Sequence, residues 1–261
     1  MDLPIYWVDA FTDRVFRGNP AAVVPLESWP EDALLQSIAN QNGLSETAYF
    51  VRTGPSRAQL RWFTPEVEVD LCGHATLATA HVLFSELGQT ESPFVFDTKS
   101  GPLSVARRGP MIELDFPSRP AQPAEPTGDL LRGLRRKPEQ VLLSERMWLC
   151  VYGSPDDVIG LAPDHAALAL TVPGRVIVTA PGRDCDFVSR FFAPDAGVPE
   201  DPVTGSAHCT LAPYWADRLG KTRLHARQVS RRSGELWCEL AGSRVRIAGY
   251  GSPYLRGRIA V

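Results

Sequence analysis

Phe63-Thr64-Pro65-Glu66, then Gly73-His74-Ala75 and a small-residue run to Leu87-Gly88, has a counterpart later in the chain: Phe192-Ala193-Pro194-Asp195, then Gly205-Ser206-Ala207 and a run to Leu219-Gly220. The glycine-to-glycine distance is the same in both copies, and the second approach loop is longer by three residues. A repeat of this size implies two similar lobes. Each copy brings one reactive side chain, His74 or Ser206, to the start of a helix. A helix start offers unpaired N–H groups and a partial positive charge, which suit a carboxylate or an enolate. Two such starts facing each other across a cleft would make one composite site.

Working outward, β-formers mark short strands at 5–11, 21–26, 47–52 and 58–63. A helix opens at Pro30-Glu31-Asp32, uses Leu34, Leu35 and Ile38, and stops near Asn42-Gly43. The run 75–87 is apolar nearly all round, which predicts a buried helix. Strands follow at 94–96, 103–106 and 111–116. The proline-rich stretch 117–128 reads as a linker. Beyond it, strands are expected at 147–152, 175–179 and 187–192. A second small-residue helix is expected over 207–219, with a kink or late start at Pro213. Strands at 223–230, 235–240 and 244–248 close the chain. Strands and helices do not alternate, so a doubly wound parallel sheet is a poor match. The pattern predicts an α+β fold of two pseudo-symmetric lobes, each a mostly antiparallel, barrel-like sheet around a central helix. The lobes are expected at 1–117 and 129–254, with a last strand at 255–261 crossing back.

Composition narrows the function. The chain has 261 residues, a formal charge of −3 and a pI near 6.0, which gives no drive toward nucleic acid or an anionic membrane. The basic cluster Arg132, Arg135, Arg136 and Lys137 reads as a solvated face. Five cysteines without a C-x-x-C pair argue against a disulfide framework and fit a reducing cytoplasm. The start at Met1 lacks a signal-peptide pattern, and no apolar run approaches the ~20 residues that span a bilayer. No pair among Cys72, His74, His208 and Cys209 has zinc-finger spacing, so no metal centre is expected. G-x-S-x-G, G-x-G-x-x-G and the P-loop pattern are absent.

Four positions are candidates for chemistry. Glu46 sits where a strand begins among apolar neighbours. A carboxyl group in such surroundings loses hydration and can serve as a general acid or base near neutral pH. His74 can donate to a carbonyl or relay a proton. Asp201, before Pro202, and Ser206, at a helix start, read equally as turn and cap residues. What raises them is the equivalent placement of His74 and Ser206 in the two repeats.

These stretches carry a family resemblance. Val8-Asp9-Ala10-Phe11-Thr12 with Gly18-Asn19-Pro20-Ala21-Ala22-Val23, Asn42-Gly43-Leu44-Ser45-Glu46-Thr47-Ala48, Arg61-Trp62-Phe63-Thr64-Pro65 through Cys72-Gly73-His74-Ala75-Thr76, and Phe191-Phe192-Ala193-Pro194 through Asp201-Pro202-Val203-Thr204-Gly205-Ser206-Ala207-His208 together resemble the phenazine-biosynthesis isomerase (PhzF-like) family. That family shares its fold with diaminopimelate epimerase and proline racemase. The resemblance implies cofactor-independent proton transfer on a small carboxylate-bearing metabolite in the cleft between lobes, and a homodimer. It implies Glu46 as the proton-shuttling acid/base, with His74, Asp201 and Ser206 assisting. Asn19, Ser45, Gly73 and Gly205 would line the pocket. The chain departs from the epimerase cousins, which use two facing cysteines: Cys72 fits the first place, but the second repeat has none at the matching turn. One carboxyl group moving a proton on one face suits tautomerisation better. An amino-acid epimerase using Cys72 and a non-catalytic metabolite-binding protein stand as the other readings.

Overall fold

The computed structural model describes residues 2–261, so Met1 lies outside the described residues. The chain divides into two units. The first comprises the chain up to Asp115 with Ala248–Val261, and the second Phe116–Ile247.

The first unit begins with β1 (Asp2–Ala10), β2 (Asn19–Leu26), α1 (Asp32–Asn42), β3 (Glu46–Gly54), β4 (Arg57–Phe63) and β5 (Glu68–Val69). The buried helix α2 (Gly73–His81) follows, then β6 (Phe94–Thr98), β7 (Gly101–Arg108) and β8 (Met111–Pro117), along which the chain leaves the unit. The second unit contains β9 (Gln122–Pro123), α3 (Gly128–Leu134), β10 (Gln140–Leu143), β11 (Trp148–Val151), α4 (Pro155–Ile159), α5 (His165–Leu168), β12 (Val176–Pro181), β13 (Phe187–Ala193) and β14 (Val198–Asp201). The helix α6 (Gly205–Leu219) comes next, then β15 (Arg223–Gln228), β16 (Gly234–Ala241) and β17 (Arg244–Gly249). Finally β18 (Gly251–Ala260) lies antiparallel along β1 in the first unit.

The repeat read from two short motifs extends through both units. In the first, β1–β2 is antiparallel, β2–β3 parallel, β3–β4 and β4–β5 antiparallel, and β4–β6 parallel after α2. In the second, β10–β11 is antiparallel, β11–β12 parallel, β12–β13 and β13–β14 antiparallel, and β13–β15 parallel after α6. The parallel joins fall where a helix intervenes, as a crossover requires. The sheets are mostly antiparallel around one buried helix, as the strand-rich pattern predicts.

The buried helix α2 carries two threonines, Thr76 and Thr79. Their hydroxyls donate to the carbonyls of Cys72 and Ala75, four residues back, so no buried hydroxyl is stranded.

Some expectations differ from the structure. The helix read over 75–87 is α-helical only to His81, and Val82–Glu86 form a π turn. An uninterrupted apolar run carries no periodicity that could mark such a change. Pro213 does not delay the start of α6, because the helix runs from Gly205 through Pro213 to Leu219. The carbonyl that Pro213 cannot serve is that of Cys209, and it accepts the Arg119 N–H at 2.9 Å instead. That donor comes from the stretch read as a linker. Residues 117–128 belong to the second unit, where β9 pairs with β10. Prolines there hide the strand. The basic cluster is exposed, as a solvated face requires, and three of its members are ion-paired, Arg132 with Asp129, Arg135 with Asp164 and Arg136 with Asp157. Among the described residues no helix is long and apolar enough to cross a membrane.

Candidate functional site

In the first unit the loop between β1 and β2 delivers Asn19. Phe11, Phe16 and Gly18 take left-handed backbone angles there. The Asp9 carboxylate accepts the Phe16 N–H at 2.8 Å, and the Tyr250 carbonyl accepts the N–H of Phe11 at 2.8 Å. Gly18 is obligatory. Its φ is +62°, and an added Cβ would lie 2.2 Å from the Ala10 carbonyl oxygen. Gly18→Ala is therefore expected to cost more than the ~1–2 kcal/mol of left-handed strain alone and to displace Asn19. A urea melt measures the first effect, and the chemical shift of the His74 ring reports the second.

Asn19 opens β2, fully buried, and Glu46 opens the adjacent parallel strand β3. Asn42, at the end of α1, donates its side-chain amide to the Thr47 hydroxyl at 3.0 Å and ties the helix to the strand beside Glu46. Cys72 caps α2 with extended backbone, and His74 is the second residue of that helix. The strand starts and the helix start thus converge. Glu46 Oε2 lies 2.9 Å from His74 Nε2, an ion-pair contact off the straight hydrogen-bond line. Asn19 Nδ2 lies 3.1 Å from His74 Nδ1. Cys72 Sγ lies 3.6 Å from Nδ1 and 4.0 Å from Nε2. An amide can offer its NH2 to a bare Nδ1 or, turned over, its oxygen to Nδ1–H, so Asn19 can partner the ring in either protonation state.

Burial opposes charge on His74, but Cys72 and the Glu46 carboxylate pull the other way, and the balance holds the ring well above the ordinary histidine pKa. Burial, reinforced by the Glu46 carboxylate, pushes the Cys72 thiol up to about 11. Cys72 is thus a thiol at neutral pH, and Glu46 is the charge that favours a protonated ring there. Ser45, half-buried, precedes Glu46, and Gly73 lies between Cys72 and His74.

The equivalent turn of the second unit carries Asp201, Gly205 and Ser206. Asp201 ends β14, and its carboxylate accepts the Thr204 hydroxyl. Thr204 caps α6, and Ser206 is that helix's second residue, half-buried, with no side-chain hydrogen bond among the described residues. Glu200, just before Asp201, is held in a two-pronged pair with Arg190 at 2.7 and 2.9 Å. The His208 ring nitrogen Nδ1 meets the Thr204 carbonyl at 2.8 Å, the place taken by Thr76 in the first repeat. His208 and Cys209 therefore serve the helix backbone.

Sequence reading missed Gln228. Fully buried at the end of β15, it accepts the Thr204 N–H at 2.9 Å and donates to the Asp201 carbonyl at 2.8 Å and to Thr204 Oγ1 at 3.2 Å. A glutamine more than twenty residues after the turn has no local signal. Gln228→Ala strands buried groups on the turn and is expected to lower stability by about 2–4 kcal/mol, since each unpaired group costs ~1–3 kcal/mol. Denaturant unfolding measures it. A cavity of about 510 Å³ in this unit, lined by Arg146, Thr171, Val172, Arg175 and Asp195 among others, includes none of the candidate residues.

With the geometry in view, comparison with known proteins gives concordant matches. Residues 8–257 match the phenazine biosynthesis-like protein family. A Pseudomonas aeruginosa protein named an uncharacterized isomerase is 50% identical, with 99% of each chain covered. The crystal structure of a PhzF-family protein from Enterococcus faecalis superposes with a TM-score of 0.97 at 45% identity, covering 100% of both chains. A hydroxyproline epimerase from Agrobacterium vitis, at 9% identity and a TM-score of 0.61 over 100% of this chain and 93% of that one, shares the fold alone. This chain belongs to the phenazine biosynthesis-like (PhzF) family, an isomerase-type family built on the epimerase fold.

Proposed function

We propose that the protein is a cofactor-independent isomerase that moves a proton between two carbons of a small carboxylate-bearing metabolite. The observation that carries this reading is the contact of Glu46 with His74 at 2.9 Å in a corner closed by Asn19 and Cys72. Glu46 takes a proton from a carbon next to a carbonyl, imine or conjugated diene. The electron pair moves into that conjugated system, and the carboxyl group returns the proton to another carbon of the same skeleton. The protonated His74 ring balances the Glu46 charge and orients the carboxylate. N–H groups at the helix start of α2 hold negative charge on the intermediate, where losing one donor typically costs ~10²–10³ in rate. Asp201, Ser206, Ser45, Gly73 and Gly205 are assigned to assisting and binding substrate. We further propose a homodimer working in the cytoplasm.

The epimerase reading gains a thiol beside the imidazole, but burial keeps Cys72 protonated at neutral pH and so a poor base. A nuclear magnetic resonance screen of cyclic and amino-acid-like carboxylates in heavy water tests the proposal. Deuterium entering a carbon of one compound class, with a new isomer formed, is the expected result. Exchange at a single stereocentre with inversion, lost in Cys72→Ser, would transfer the assignment to an epimerase. Tight binding without exchange would mark a binding protein.

A further inference from the structure

We propose that Cys72, His74 and Glu46 form a binding site for one soft or borderline divalent metal ion such as zinc or cobalt, and that this ion occludes the proton-transfer corner. One donor atom from each of the three residues lies within 4.8 Å of the other two. Thiolate, imidazole and carboxylate are the donor set of tetrahedral zinc, at about 2.3, 2.0–2.1 and 2.0–2.2 Å from the ion. Donors sharing such an ion sit roughly 3.3–3.8 Å apart, by the same bond lengths and a tetrahedral angle. Here Nε2 is 2.9 Å from Oε2, while Sγ, 3.6 Å from Nδ1 and 4.0 Å from Nε2, must swing toward the Nε2 side to share the ion. Glu46 Oε2 is buried and has no hydrogen-bond partner among the described residues, which leaves it available as a donor to an ion.

The surroundings complete the case. A histidine bound through Nε2 needs an acceptor for its Nδ1–H, and such outer partners typically change metal affinity 10–100-fold. The Asn19 amide already sits 3.1 Å from Nδ1 and needs only to present its oxygen. With three protein donors, the fourth position is open to water or to an anionic molecule. Binding replaces the thiol proton and any proton on His74 Nε2 by the ion, and both protons leave to solvent. Sequence spacing hides this site, because Glu46 comes from a strand far from the Cys-x-His pair.

The test titrates the purified full-length protein with cobalt(II) alone. One equivalent is expected to give visible d–d bands and a near-ultraviolet sulfur-to-cobalt band, both displaced by zinc. Cys72→Ser and Cys72→Ala should each lose the sulfur band, and His74→Ala or Glu46→Gln should weaken binding at least tenfold. Asn19→Leu should weaken it 10–100-fold. Cys185→Ser, at the half-buried thiol near Glu235 in the second unit, should change nothing. Circular dichroism separates misfolded variants, and the paired serine and alanine changes at Cys72 guard against one failing to fold. Absence of a saturating one-equivalent signal overturns the proposal. So does a sulfur band that survives in both Cys72 variants or vanishes in Cys185→Ser. No substrate enters this titration, so its failure is distinct from failure of the isomerase reading, which deuterium exchange decides.

Discussion

Glu46→Gln is expected to slow deuterium exchange at the reacting carbon by about 10²–10⁴-fold, the usual worth of a positioned general base, while the fold survives. Glutamine has nearly the shape of glutamate, and its amide can still face the His74 ring. What is lost is the ability to accept a proton from carbon. The Glu46 side chain keeps 18% of its exposure, so the amide retains some access to water and burial alone does not unfold the variant. The loss should fall on kcat with KM nearly unchanged, because substrate binding is assigned to other groups. Glu46→Asp keeps the carboxylate but withdraws it by about one methylene, and should recover part of the rate. Exchange within a few-fold of the parent in Glu46→Gln, with an identified substrate, would remove Glu46 from the mechanism.

A second large effect is loss of stability above pH 9. Burial pushes the Cys72 thiol up to about 11 and the Cys209 thiol up to about 12, and moves Cys150 and Cys238 further in the same direction. Their unfolded-state value is 9.0. A thiol that stays protonated in the folded state while the unfolded chain ionises contributes stability that is complete below the unfolded value. That contribution fades as pH rises through the interval up to the folded value. At pH 11 each of these thiols has forfeited about 2–3 kcal/mol, about 10 kcal/mol together, comparable to the whole stability of a typical domain. Tyr49 and Tyr152 are pushed up by burial too, and add to the loss above pH 10. Urea melts at pH 7, 9, 10 and 11 measure the slope, and Cys238→Ala should make it shallower. A midpoint unchanged to pH 11 would show that the folded state ionises these thiols freely.

How much of this could be read from the residues varies with the physics involved. The repeat was visible because small residues and terminal glycines mark both buried helices, and the periodicity of strands such as β3 and β4 places them within a residue or two. Glu46 stood out by its apolar neighbours and His74 by its place in the repeat, but their roles came only through motif resemblance, because a surface glutamate or a packed histidine would look the same locally. The structure brings these two together with Asn19, and it gives Asp201 a partner in Thr204. Gln228 and the rescue of the Cys209 carbonyl by Arg119 were invisible, because each depends on a pairing between segments distant along the chain. The short helices α4 and α5 span only one or two turns, too few for a period to register. The parallel joins escaped for a related reason: alternation along a strand says which face is buried, and nothing about the direction of its neighbour.

The pairing of β18 with β1, which sets Asp2 opposite Ala260, makes the first unit wait for the far end of the chain. The second unit is one continuous segment, whereas the first draws its closing strand from residues 248–261. The first unit must wait with one flank of its opening strand uncovered, its amides and carbonyls offered to any extended peptide nearby. Chains truncated shortly before residue 251 should therefore be the form most in need of a chaperone.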